Sequence, residues 1–176
     1  MTKNQEKSNP FIEFLLSKKD DRGVLAALRR GLGQAPGQSP DMYPYVIHFL
    51  PEKPYPTLES AYYLTASLFA FHPLNTSAGN LGDHMTATIR SEGERQSVER
   101  RFTNLLKAHV DDLRVYLRQS IGILKSREIP VNWNQLLNDL IYWDHPQLFV
   151  QQKWAKSFWG RKYPSNELIE SEKEKT

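Results

Sequence analysis

Apolar residues recur along this chain at three- and four-residue spacing, and long strict alternation is scarce. The pattern predicts helices joined by short polar connections. In SNPFIEFLLSKK, Asn9 stands where an N-cap belongs, and Pro10 takes the first helical position, where its missing N–H costs nothing. A second helix follows in DDRGVLAALRRGLG, capped by Asp20 or Asp21 and ended by Gly31 or Gly33. GQAPGQSP is a Pro/Gly-rich loop, and DMYPYVIHFL a short helix or irregular turn whose start Pro44 limits. TLESAYYLTASLFAFHP predicts a buried helix capped by Thr57, with Leu64, Leu68 and Phe71 at helical spacing. His72 before Pro73 stops it, because a residue preceding proline avoids the helical region.

LNTSAGNLGDHMTATIRSEGERQ is small, polar and glycine-containing, and predicts a mobile central loop with one short helix over 81–89. Further helices are predicted from Ser97, with Val98, Phe102, Leu105, Leu106 and His109 on one face, and from Asp111 to about Ser126. Two more follow, capped by Asn132 and by Asp144. The segment 161–176 is charge-mixed and predicts a flexible, frayed tail. The fold class predicted is all-α: a single elongated helical bundle over 1–160.

Charge changes this picture through its placement. The 176 residues carry a net charge of only +3, with a sequence pI near 9.0. That permits an acidic partner without requiring one. At 100° per residue, the Asp111 helix puts Leu113, Leu117, Ser120, Ile121 and Leu124 on one face, with Arg114, Arg118 and Lys125 as a stripe along its edge. Asp111 and Asp112 fall at its N-terminus, where acids favour the helix dipole. On the preceding helix Arg100, Asn104 and Lys107 lie opposite the apolar face, and Arg101 flanks it. In the second helix Arg22 and Arg29 share a side, and Arg30 points elsewhere. Arginine suits phosphate, because its planar fork binds two oxygens at once.

Other chemistry is sparse. The chain has no cysteine, which excludes disulfides, cysteine–zinc sites and cysteine nucleophiles, and fits a reducing cytoplasm. The polar start MTKNQEKSNP is not a signal peptide, and no apolar run reaches the roughly 18–20 residues of a membrane span. The five histidines lack metal-binding spacing, no Walker A or GxGxxG motif occurs, and no serine sits on a nucleophile elbow, so no cofactor, metal site or catalytic residue is predicted. GNLGDH lacks a preceding strand and reads as a mobile turn. His109 reads as a core histidine, and Trp133, Trp143, Trp154 and Trp159 as core packing. Two readings stay open on the residues alone: a helical protein binding a phosphate backbone, or an adaptor whose basic face meets acidic proteins. A helical enzyme would need a convergent polar site that the sequence does not display.

DRGVLAALRRGLG, AYYLTASLFAFHP, GNLG, VERRFTNLLKAH, LRVYLRQSIGILKSREIPVNWNQLLNDLIYW and WAKSFW, in that order, resemble the CasB family, the small subunit of the type I-E CRISPR surveillance complex Cascade. The resemblance runs from about Asp20 to Trp159. It implies a non-catalytic helical subunit, packed with a second copy of itself and contacting the CasC backbone and the CasA large subunit. Its basic surface would follow the guide RNA and target DNA and help hold the displaced strand. Arg29 and Arg30 match the family's LRR, Arg100 and Arg101 its RRF pair, and Arg118 its later LR. Lys107, Arg114 and Lys125 come from the helical geometry alone. Asn132 departs from the acid usual before the tryptophan, but both residue types cap helices.

Overall fold

Ten consecutive residues, from Ala61 to Ala70, are buried in one helix, α4 (Pro56–Phe71). A helix apolar on every side belongs at the centre of a structure. Around α4 the computed structural model, which describes residues 8–160, arranges eight further helices. They are α1 (Pro10–Ser17), α2 (Arg22–Arg29), α3 (Tyr43–Val46), α5 (Leu81–Ala87), α6 (Glu92–Leu106), α7 (Leu113–Ser126), α8 (Trp133–Ile141) and α9 (Phe149–Trp159). Single 3-10 turns at Arg30–Gly33, Pro40–Met42 and Ile47–Phe49 complete the N-terminal part. Among the described residues there is no β-strand, only an isolated bridge between Asn75 and Val131. The tail predicted over 161–176 lies outside the described residues.

Helix α4 packs on α2 and α8, while α5 packs on α9 and α6 on α7. The rings of Phe11 and Tyr62 stack at 4.8 Å to join α1 to α4, and those of Phe102 and Phe158 stack at 4.5 Å to join α6 to α9. Trp133, Trp143 and Trp154 are core residues as predicted, and Trp159 is half-buried against the same core. Three predicted caps are present: the side chains of Asn9, Asp21 and Asn132 accept from the N–H groups of Phe11, Val24 and Gln135.

Four predicted helix starts move. Helix α4 begins at Pro56 behind Tyr55, so Thr57 lies inside the first turn and does not cap. Helix α6 begins at Glu92, ahead of Ser97, where Glu92 and Glu94 suit the positive end of the dipole. Helix α7 begins at Leu113, and neither Asp111 nor Asp112 caps it through a side chain. Helix α9 begins at Phe149 after Leu148, whose φ of 50° breaks the chain direction, so Asp144 stands outside it. His109 is exposed, not core, because α6 stops at Leu106 before reaching it.

The central segment carries its predicted short helix as α5, and that helix is packed into the fold. Asn80 and Asp83 form a capping box around the start of α5, and Leu81, Gly82, His84 and Met85 are buried. A Cβ on Gly82 would meet the Trp154 carbonyl, with its carbon only 2.9 Å away, so α5 lies against the α9 backbone only because position 82 is glycine. A polar seam fastens the same segment to the connection before α8. Val131 N–H donates to the Leu74 carbonyl and Thr76 N–H to the Val131 carbonyl, each at 3.1 Å. The Trp133 indole donates to the Leu74 carbonyl at 3.0 Å, and the Asn132 amide to the Gly79 carbonyl at 3.0 Å.

Candidate nucleic-acid interface

Helix α7 lays its predicted apolar face, Leu113, Leu117, Ser120, Ile121 and Leu124, into the core. That burial fixes its rotation and places Arg114, Arg118 and Lys125 along one edge. Arg118 and Lys125 are exposed and Arg114 is half-buried. Among the described residues no carboxylate lies within ion-pair distance of these three. Arg114 and Arg118 line a shallow cavity of about 340 Å³ with Leu32, Phe71, Val115 and Gln119. Lys125 sits 4.2 Å from the centre of the Phe71 ring, a cation–π contact that leaves its ammonium at the surface.

The surface continues toward α6. Gln119 also lines a second open cavity of about 480 Å³, with Arg101, Gly122, Ile123 and Ser126. The two cavities share Gln119, so Arg101 of α6 borders a surface next to the one that Arg114 and Arg118 line. The structure separates the remaining candidates. Arg100 and Lys107 are exposed, without an ion pair among the described residues, on the side of α6 opposite its buried residues. Arg29 is exposed and donates to the Leu25 carbonyl at 3.1 Å. Arg30 forms an ion pair with Asp41 at 2.7 Å, so its charge is already answered.

Two histidines are buried beside the 74–80 and 129–132 segments. His72 is buried with Nε2 2.7 Å from the Ile129 carbonyl, a contact that makes Nε2 the protonated nitrogen. Burial pushes its pKa down against the pull of that hydrogen bond, and the nearby Lys125 adds to the lowering. His84, also buried, accepts the Asn132 N–H at Nε2, 3.1 Å away, and burial lowers its pKa against the nearby Asp83. Both are neutral pins of the polar seam.

Lys153 and Lys156 were not among the residues the sequence singled out. With Ser77, Asn80, Asn132 and Ser157 they line an open polar cavity of about 690 Å³ between α5, α8 and α9. The signal was available, since lysines three apart on a helix are neighbours on its surface and the buried Trp154 falls between them. Among the described residues there is no cluster of histidine, cysteine and carboxylate groups able to hold a metal, and no helix is long and apolar enough to cross a membrane.

The family model described as CRISPR-associated protein Cse2 matches residues 24–159. The chain belongs to the CRISPR-associated Cse2 family. A Cse2 protein of Thermus thermophilus is 31% identical over 158 residues, covering 85% of this chain and 86% of that protein. The crystal structure of CasB from Thermus thermophilus is 30% identical, covers 85% of this chain and 96% of its own, and has a TM-score of 0.75. CasB of M. ruber is 27% identical over 94% of this chain and 96% of its own, with a TM-score of 0.72. A chain of a CRISPR RNA-guided surveillance complex, at 23% identity over 84% of this chain and 91% of its own, shares the fold with a TM-score of 0.73. The CasB resemblance seen in the sequence and the Cse2 match describe the same helical family. The matched span holds every candidate residue from Arg29 to Lys125, and the seam and Lys153–Lys156 as well.

Proposed function

We propose that this Cse2-family chain is a non-catalytic subunit of a CRISPR RNA-guided surveillance complex, and that it holds nucleic-acid backbone without reading sequence. The stripe of Arg114, Arg118 and Lys125 carries the proposal: three cations on one helix edge, without an ion pair among the described residues. Such groups neutralise phosphates and release counterions. In a guide RNA–target DNA R-loop the exchange of base pairs is nearly balanced, so backbone contacts of this kind tip it and hold the displaced strand. The partners are the guide RNA and target DNA, a second copy of the chain, the CasC backbone and the CasA large subunit, in the cytoplasm.

A protein–protein adaptor is the second reading. It is favoured by exposed Ile47, Tyr55, Tyr142 and Leu148, apolar groups suited to a partner surface. The test is fluorescence anisotropy of labelled single-stranded DNA, titrated with the purified protein across salt. Backbone binding gives a linear fall of log K with log salt, whose slope divided by about 0.7 counts the phosphates neutralised. Several phosphates support the stripe. Absence of salt-dependent binding overturns this reading and favours the adaptor.

A further inference from the structure

Arg114 lines two cavities at once. One is the shallow surface of the stripe; the other is a more enclosed cavity of about 330 Å³ on its far side. Buried Leu64, Leu113 and Leu140 form the apolar walls of this second cavity. Ala35 and Pro36, from the Pro/Gly loop, also line it. The volume is at the small end of ligand pockets, which run from about 300 to 1,000 Å³. It suits one planar heterocycle.

The rim chemistry selects the occupant. Thr57 and Ser60 bring hydroxyl groups, Asp111 a carboxylate and Arg114 a guanidinium. The Asp111 carboxylate is itself 3.2 Å from His109 Nδ1 and largely exposed. A phosphate is repelled by Asp111 and belongs on the Arg118 side of Arg114. A partner's aliphatic side chain would fill the leucine walls but leave the rim's polar groups without new partners. A nucleobase satisfies both halves, with an apolar ring face for the leucines and edge donors and acceptors for the rim. An exocyclic amino group is the natural donor to Asp111.

We infer that this cavity accepts one unstacked nucleobase of a single strand whose phosphates lie on Arg114 and Arg118. The inference rests on the backbone-binding reading and adds a term that phosphate neutralisation lacks: affinity that depends on the base being present.

The experiment compares a labelled single-stranded deoxycytidine oligonucleotide with one of equal length built of abasic sugar phosphates, each titrated across salt. The two carry the same phosphates, so their salt slopes agree. The cytidine strand is expected to bind about tenfold more tightly, the scale of one base held against a protein surface. Thr57→Leu with Ser60→Leu, which fills the mouth and removes both hydroxyls, is expected to erase that preference and keep the slope. Thr57→Val, a change of hydroxyl for methyl at constant shape, is expected to narrow it and serves should the double variant not fold. Equal affinity of wild type for both strands, with a normal slope, overturns the inference and leaves the backbone reading standing. Absence of binding by either strand overturns the backbone reading and this inference with it.

Discussion

Arg118 and Arg127 belong to the same cationic stretch of sequence and do opposite things. Arg118 is exposed on the edge of α7, with no carboxylate in reach among the described residues. Arg127, just past the end of that helix, turns inward. Its two terminal nitrogens fork onto the Glu94 carboxylate at 3.1 and 3.0 Å, and Nη1 also donates to the Thr88 carbonyl. Glu94 accepts the Arg90 N–H as well, at 3.1 Å. One arginine is offered to a partner, and the other clamps the end of α7 to the first turn of α6 and the end of α5. Residue type alone therefore says little about basic surface. Whether a carboxylate is brought within reach decides it, and here the carboxylate comes from another helix.

The comparison is broken most severely at the exposed end. Arg114→Glu with Arg118→Glu is expected to lower single-stranded DNA affinity by about 10- to 100-fold and to flatten the salt slope. The melting temperature should stay near wild type, because neither side chain forms an ion pair within the described residues. Equal DNA binding by the folded double variant would remove the stripe from the interface.

At the packed side, Gly82→Ala forces a methyl group into the Trp154 carbonyl and should destabilise by about 1–3 kcal/mol, read as a lower denaturant midpoint. Asn132→Ala removes the α8 cap and one seam hydrogen bond, and is expected to cost about 1 kcal/mol in the same assay.

Two smaller effects depend on pH. His72 and His84 have pKa values lowered by burial, so the unfolded chain binds more protons than the folded one below the ordinary histidine value of about 6.5. Stability is expected to fall as pH drops from 7.5 toward 5.5, which thermal melts at successive pH values will measure. Glu94 is held below its ordinary range, chiefly by the hydrogen bonds from Arg127 and then by the Arg90 N–H. Its contribution is present above the unfolded value of about 4.3 and is lost as pH falls through the lower folded value. Arg127→Ala should lower the melting temperature at neutral pH, reduce that acid dependence, and leave DNA affinity unchanged. Loss of DNA affinity instead would place Arg127 with the stripe and erase the contrast.

Much of this was legible from local rules. A helix rotates to bury its apolar residues, so the five buried positions of α7 and the stripe beside them followed from spacing in the sequence. The caps at Asn9, Asp21 and Asn132 are equally local. Errors arose where a distant partner overrides a local signal. Thr57, Ser97 and Asp144 are good capping types, yet the helices begin elsewhere. The polar 74–89 segment reads as mobile in sequence because its hydrogen-bond partners, the 129–133 connection and α9, are remote along the chain.

By itself, then, the sequence determined an all-helical family member with a cationic edge on α7, because periodicity and caps act over a few residues. Tertiary structure alone decided which charges remain free, since an ion pair such as Arg127–Glu94 or Arg30–Asp41 exists only once the chain has brought distant elements together. It also made the cavity beside Arg114, whose walls come from the Pro/Gly loop, α4, the approach to α7, and α8. A cavity is a relation between elements, and no local pattern in the sequence encodes it.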